Sequence, residues 1–198
     1  LLDVLRNKSL VFMLASRDFR SKYRSSNLGL LWSVLLPFIQ GAVLAVVFTR
    51  VVKIHVLVSY PIYILLGTTL WGYFGSAFSA SSTAIVNQSG ITGRLYFPRV
   101  LVTAVPIFSG MPSYLLSLGL LLCLMALFDV SYQWTLIALP LVIALLATFT
   151  IALGASIAIL HVYVRDISYG LIAGLQIWYY ITPIIYPMLQ APVNMRYW

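Results

Sequence analysis

The chain has 198 residues, of which 62% are hydrophobic and only 8% are charged. Soluble domains carry about 25% charged residues, so this composition excludes an ordinary soluble protein and indicates a helical protein that crosses a membrane several times. The net charge of +8 would also suit nucleic acid. The basic residues lie between apolar segments rather than in one patch, however, and this favours anionic lipid and membrane topology over nucleic acid.

The first 26 residues predict an amphipathic helix at the membrane surface. Apolar positions recur at helical spacing up to Tyr23, and arginines fall on another face. The basic residues nearest the first span are Arg17, Arg20, Lys22 and Arg24, and the next ionisable side chain is Arg50. Because Lys and Arg beside a span resist translocation, they predict a cytoplasmic N-terminus. The alternative is a plain topogenic flank with no further role.

Windows without charged residues predict five transmembrane helices, at 28–49, 60–84, 100–127, 135–160 and 167–187. Within them, small residues recur every four positions, a pattern that favours close packing of helices inside the chain. Pro37, Pro106, Pro112 and Pro140 are expected to bend or end helices. The small-residue rows are Gly72, Ser76, Ala80 and Ala84; Ser109, Ser113 and Ser117; Ala144, Thr148, Ala152 and Ser156; and Gly170 with Gly174.

The predicted spans have no Asp, Glu, Lys or Arg at their centres. Ion-coupled transporters normally need such groups to carry protons or neutralise ions. The chain also lacks a phosphate-binding loop, a cluster of metal ligands and a pair of carboxylates at membrane depth. If this protein transports, the energy must therefore come from a partner.

Aromatic and neutral polar residues are the candidate lining of a substrate path. Aromatic faces stack on sugar rings, and a buried amide needs a partner or a wet cavity. The alternatives are interfacial belts for the aromatic residues and contacts between helices for the amides. The candidates are Trp32, Phe38 and Gln40; Trp71 and Tyr73; and Gln176, Trp178, Tyr179 and Tyr180.

Six short motifs occur in order along the chain. They are Arg17-Asp18-Phe19-Arg20-Ser21-Lys22-Tyr23-Arg24, Leu28-Gly29-Leu30-Leu31-Trp32, Leu36-Pro37, Leu95-Tyr96-Phe97-Pro98-Arg99, Val164-Arg165-Asp166-Ile167 and Ile181-Thr182-Pro183-Ile184-Ile185-Tyr186-Pro187. In this order the sequence resembles the permease subunit of bacterial type-2 ABC transporters that export polysaccharides such as O-antigen, capsule or teichoic acid.

This resemblance implies an all-α polytopic protein with an interface helix at 1–26, a transmembrane domain at 27–187 and the start of an extracytoplasmic gate at 188–198. Six spans are expected in the family, against five predicted here. The resemblance further implies a homodimer in the bacterial inner membrane, bound to two copies of a cytoplasmic ATPase. That partner would hold ATP and Mg, and this chain would hold no cofactor.

The resemblance also implies roles for particular residues. The loop 86–99 would be the coupling helix that contacts the ATPase, and the next cytoplasmic loop would assist it. The gate would begin at Pro183, Tyr186 and Pro187, and the basic residues of the interface helix would lie near the pyrophosphate of a lipid-linked polymer. The coupling residues are Arg94, Leu95, Tyr96, Phe97, Pro98, Arg99, Arg165 and Asp166.

Other functions stay open on the sequence alone. One is an ABC exporter of a drug or small lipid. Another is a membrane enzyme that acts on lipid-linked sugars, although Asp18 and Asp166 are isolated carboxylates. The third is a passive channel, which would need no ATPase.

Overall fold

The computed structural model describes residues 7–24, 29–48, 60–87, 100–128, 130, 134–164 and 166–184. Its regular elements are six α-helices and one short 3₁₀ helix. They are α1 (Lys8–Tyr23), α2 (Gly29–Val47), α3 (Tyr60–Asn87), α4 (Val100–Leu127), the 3₁₀ helix Trp134–Ala138, α5 (Leu139–Tyr163) and α6 (Ile167–Ile181). The described residues contain no β-strand, which agrees with the predicted all-α class.

All five predicted spans coincide with helices, and their boundaries differ by a few residues. Among the described residues, three stretches are long and apolar enough to cross a membrane, Gly29–Val47, Leu101–Leu127 and Leu136–Tyr163. The other two predicted spans, α3 and α6, are not among these stretches, for separate reasons. Helix α3 is long but richer in Gly, Ser and Thr, whereas α6 has 15 residues, about 22 Å, which is shorter than the roughly 30 Å hydrocarbon layer.

Helix α3 is the centre of the bundle. It packs against α2, α4, α5 and α6, and half of its residues are buried. A helix enclosed by protein does not need an apolar surface on every side, which explains its polar content. Several of its buried hydroxyl groups bond to their own helix, as Thr69 does to the Leu65 carbonyl at 2.6 Å and Ser82 to the Phe78 carbonyl at 2.8 Å.

Three helices meet most closely at Ser81, Thr103 and Gly154. The Ser81 hydroxyl donates a 2.7 Å hydrogen bond from α3 to the Thr103 carbonyl of α4. On its other side, a Cβ added to Gly154 of α5 would lie 2.8 Å from Ser81 Cβ. Since that is closer than non-bonded carbons approach, only glycine permits this contact between α3 and α5.

The prolines do not end the helices that contain them. Helix α2 continues through Pro37, and α4 continues through Pro106 and Pro112. Pro140 lies in the first turn of α5, where a missing amide proton leaves no carbonyl unpaired. The expectation that Pro140 bends or ends a helix is therefore wrong.

The small-residue rows pack inside the chain only in part. Ser109, Ser113 and Ser117 are buried, whereas the row from Ala144 to Ser156 is exposed throughout and a Cβ added to Gly170 would meet no other helix within 4 Å. Helix α5 instead packs through Ile143, Ala147, Thr150, Ile151, Gly154 and Ala158. Because α5 is apolar on all sides, its sequence did not indicate which face is buried.

Candidate functional site

Helix α1 presents three arginines on one open face. Arg17, Arg20 and Arg24 are spaced by three and four residues, so they share a helix face, and all three are exposed. They line an open cavity of about 1480 Å³ together with Phe12, Met13 and other residues, among them Phe108 of α4. Phe12 is 76% exposed on this cavity. Phe12, one of the apolar positions at helical spacing, therefore shares this cavity with the arginines.

Lys22 differs from the arginines in its surroundings. Its ammonium lies 3.4 Å from the Asp18 carboxylate, one helical turn away, and Lys22 does not line the cavity. Within the described part of the chain, no ion pair is found for the three arginines. The basic stretch of residues 17–24 thus contains a row of three arginines and a separate lysine that is paired with Asp18.

The face of α1 opposite the arginine row packs along α4. Val11 and Ala15 are buried on this side. Asp18 accepts a 2.5 Å hydrogen bond from the hydroxyl of Ser109, and the Tyr23 hydroxyl lies 2.8 Å from that of Ser113. Tyr23 therefore contacts α4, although its sequence position suggests a lipid contact.

Aromatic side chains from three helices form one continuous cluster. The Trp178 ring of α6 lies 5.9 Å from Trp71, 5.3 Å from Phe74 and 6.5 Å from Phe149 of α5. The aromatic cluster, as we call it, consists of Trp71, Phe74, Phe78, Phe149, Trp178, Tyr179 and Tyr180. Edge-to-face pairs of this kind contribute about 0.5–1.5 kcal/mol each beyond area burial, so the cluster joins α3, α5 and α6.

Some members of the aromatic cluster are exposed on the surface of the chain. Tyr180 is 59% exposed and Trp178 is 37% exposed, and Gln176 on the same helix is exposed. Tyr179, in contrast, is 8% exposed, and its hydroxyl has no hydrogen-bond partner among the described residues. The open members have the chemistry to stack on sugar rings.

The remaining path candidates lie elsewhere. Tyr73 is enclosed between helices, stacked on Tyr114 at 4.6 Å with its hydroxyl bonded to the Ile107 carbonyl. Trp32 and Gln40 are exposed on α2, and Phe38 is partly exposed there. No ring contact in the described residues joins Trp32 or Phe38 to the aromatic cluster.

Residues 182–184, directly after α6, lie against the beginning of α3. Thr182 has an extended backbone, as expected before a proline, and the Pro183 carbonyl accepts a 2.6 Å hydrogen bond from Tyr63. Ile184 packs so close to Gly67 that an added Cβ would lie 2.7 Å away. The other predicted gate residues, Tyr186 and Pro187, and the segment 188–198 lie outside the described residues.

The predicted coupling segments begin at one end of the bundle. A small cavity of about 120 Å³ is lined by Ser79, Ser82, Thr83, His161, Ile167, Ser168, Leu171 and Ile172. The end of α3, the end of α5 and the start of α6 therefore meet there. Asp166 is exposed at the start of α6. Arg165 and the residues from Arg94 to Arg99 lie outside the described residues.

Three aromatic cluster members were not among the candidates predicted from sequence, namely Phe74, Phe78 and Phe149. The four-residue spacing of Phe74 and Phe78 beside Trp71 indicates a shared helix face. Phe149 comes from a helix about 70 residues further along the chain, so spacing alone does not relate it to the others.

Apolar helices, a basic helix packed along one of them and an open aromatic surface define a multi-pass membrane protein. The chain belongs to the ABC-2 type transporter family, whose model matches residues 9–198. This match confirms the predicted class, a type-2 ABC transporter permease with an all-α polytopic fold.

Two curated relatives agree with this family. One is an O-antigen export system permease protein from Myxococcus xanthus, which is 26% identical over 186 residues, or 94% of this chain and 71% of the relative. Another, of the same description, comes from Klebsiella pneumoniae and is 22% identical over 187 residues, or 92% of this chain and 71% of the relative.

Proposed function

We propose that this chain is the membrane subunit of an ATP-driven exporter that moves a lipid-linked polysaccharide outward across the bacterial inner membrane. The family supports a transport function, and the names of the two relatives support a polysaccharide of the O-antigen type. The working unit is a homodimer with two copies of a cytoplasmic ATPase, which holds ATP and Mg. The N-terminus lies on the cytoplasmic side.

The observation that carries this proposal is the chemistry of the helical body. Helices α2 to α6 contain no Asp, Glu, Lys or Arg, and His161 is their one histidine. A membrane protein driven by an ion gradient needs buried groups that bind the ion or proton. The driving force must instead reach this body from outside it, as an ATPase partner would provide.

The open aromatic surface is the proposed contact for the polymer. Trp178 and Tyr180 offer ring faces, and Gln176 offers an amide that can donate and accept hydrogen bonds. In a homodimer, this side of α6 and the exposed side of α2 with Trp32, Phe38 and Gln40 line the path. Tyr73 and Tyr179 support these residues from within the protein, and Trp71 holds the ring of Trp178.

The arginine row of α1 is the proposed contact for the lipid carrier. Three unpaired guanidinium groups suit the phosphate oxygens of a diphosphate, which they can bind in a bidentate manner. Phe12 and Met13 on the same cavity offer an apolar surface beside them. Lys22 does not belong to this contact, because its charge is already paired with Asp18.

Coupling to the ATPase is proposed for the two segments at the common end of α3 and α5. The segment 88–99 connects α3 to α4, and the segment 164–166 connects α5 to α6. A partner that pushes on both segments moves four helices at once. Asp166 and the basic residues Arg94, Arg99 and Arg165 supply the polar contacts.

Co-purification with the cognate ATPase tests this proposal. The chain is co-expressed with that ATPase, and ATP hydrolysis is measured with and without the lipid-linked polymer. The wild-type complex is expected to stay together and to hydrolyse ATP faster with the polymer, whereas alanine at Arg94 and Arg99 weakens both. Purified chain that modifies lipid-linked sugars without any partner would instead indicate an enzyme.

A further inference from the structure

Helix α1 is fastened to α4 at two points. Asp18 accepts a hydrogen bond from Ser109 and Tyr23 shares one with Ser113. Both serines are buried, with 1% and 8% of their surface exposed. The two bonds occur in the same order along both helices, so α1 follows the side of α4 for more than a turn.

The surroundings of Asp18 and Tyr23 fix both side chains in place. Lys22 lies 3.4 Å from the same Asp18 carboxylate oxygen that accepts the hydrogen bond from Ser109, so two partners hold this side chain. The ring of Phe19 packs edge-on against Tyr23 at 4.9 Å. The last two turns of α1 thus have one side in contact with α4 and the arginine row on the other.

The attachment lies in the part of α4 that contains two prolines. Pro106 and Pro112 have no amide proton, so the carbonyls of Val102 and Phe108 cannot receive the usual backbone hydrogen bond. Ser109 lies between these prolines. From the opposite side, the Tyr73 hydroxyl of α3 donates to the Ile107 carbonyl at 3.0 Å. Side-chain bonds from two helices therefore hold the weakened part of α4.

We propose that Asp18 and Tyr23 are positioning residues that make α1 and α4 move as one body during transport. This inference rests on the proposed function, because α4 begins directly after the segment 88–99 that would contact the ATPase. A movement of α4 then carries the arginine row with it. The lipid-binding face and the ATPase contact are thereby linked through one helix pair.

A distance measurement tests this link. Spin labels are placed at Ser9→Cys on α1 and Leu116→Cys on α4, both exposed positions, in a Cys123→Ser background that removes the single native cysteine. Labelled chain is mixed with an excess of unlabelled chain, so that a complex carries both labels on one protomer. In the complex with the ATPase, the distance within that protomer is expected to give one narrow distribution, unchanged between the nucleotide-free and ATP-bound states. A distance that shifts between these states would overturn the proposal.

Variants at the contact between α1 and α4 provide the second part of this test. Asp18→Ala combined with Tyr23→Phe is expected to broaden the distribution and to lower polymer export several-fold. Asp18→Asn keeps an oxygen that can accept the Ser109 bond, so its distribution stays closer to wild type. Asp18 and Ser109 act through one hydrogen bond. The variant that combines Asp18→Ala with Ser109→Ala is therefore expected to lose no more export than the worse of these two single variants.

Two matched controls keep the result specific. Tyr163→Phe removes a hydroxyl from a side chain that is 82% exposed, and Ser117→Ala removes a buried hydroxyl that bonds only to its own helix. Both are expected to leave the distances and export unchanged. A narrow distribution in the Asp18 and Tyr23 double variant contradicts the inference. Failure of the proposed function shows separately, as absence of ATP-dependent export by the wild-type complex.

Discussion

Replacing Gly154 by alanine tests whether α3 and α5 are in contact as closely as the structure describes. The new Cβ would lie 2.8 Å from Ser81 Cβ and closer still to its hydroxyl oxygen. Overpacking of this kind destabilises by about 1–3 kcal/mol. Displacing Ser81 also removes its bond to Thr103, which contributes about 1 kcal/mol, while alanine returns up to about 1 kcal/mol of helix propensity. The net loss is therefore about 1–3 kcal/mol.

The assay for this substitution is reversible unfolding in mixed detergent micelles. Gly119→Ala is the matched control, since Gly119 lies on α4 with no atom within 4 Å of its added Cβ, and we expect it to be neutral or slightly stabilising. Adding Ser81→Ala to Gly154→Ala relieves the contact with the oxygen but not with the Cβ, so it should recover only part of the loss. Equal stability of Gly154→Ala and Gly119→Ala would refute the close contact.

Three further outcomes are expected. Arg20→Gln should weaken binding to vesicles that contain a polyprenyl diphosphate by about fivefold, which corresponds to about 1 kcal/mol per basic residue. Lys22→Gln removes the same charge and should have little effect. Equal losses of binding for the two variants in a flotation assay would contradict the proposed role of the arginine row. Trp178→Ala should lower polymer export several-fold when equal amounts of folded protein are compared, whereas Trp134→Ala, at a position 88% exposed, should not. Unchanged export by Trp178→Ala would contradict the proposed contact between the aromatic surface and the polymer. Tyr73→Phe should lower the free energy of unfolding by about 1 kcal/mol, because its hydrogen bond is lost, and should leave export per folded molecule unchanged. Lower export per folded molecule would indicate that Tyr73 contacts the polymer after all.

Much of the fold could be predicted from where charges are absent. The stretches between Arg24 and Arg50 and between Lys53 and Arg94 contain no charged side chain, and each contains one helix of the bundle. The reason is physical, because a charged group at membrane depth is costly whatever its neighbours are. The identity of the central helix was not predictable in this way, since α3 is recognised by its contacts rather than by its hydropathy.

The candidate site was predictable in its residue types and less so in its grouping. The basic motif indicated a charged surface, yet only the structure separates Lys22 from the arginines, because its pairing with Asp18 depends on the side that α4 covers. The aromatic residues of α3 and α6 were recognisable, but their common cluster with Phe149 depends on packing between distant segments. In helices that are apolar on all sides, periodicity does not distinguish these arrangements.

The proposed function requires that a helical body without Asp, Glu, Lys or Arg is driven by a partner that hydrolyses ATP. Its most direct test is polymer movement in vesicles that contain the purified chain, measured with the cognate ATPase and ATP, and separately with an imposed proton or sodium gradient and no ATPase. The account predicts that the lipid-linked polysaccharide crosses the bilayer only with the ATPase and ATP. Uphill movement on the ion gradient alone would contradict it.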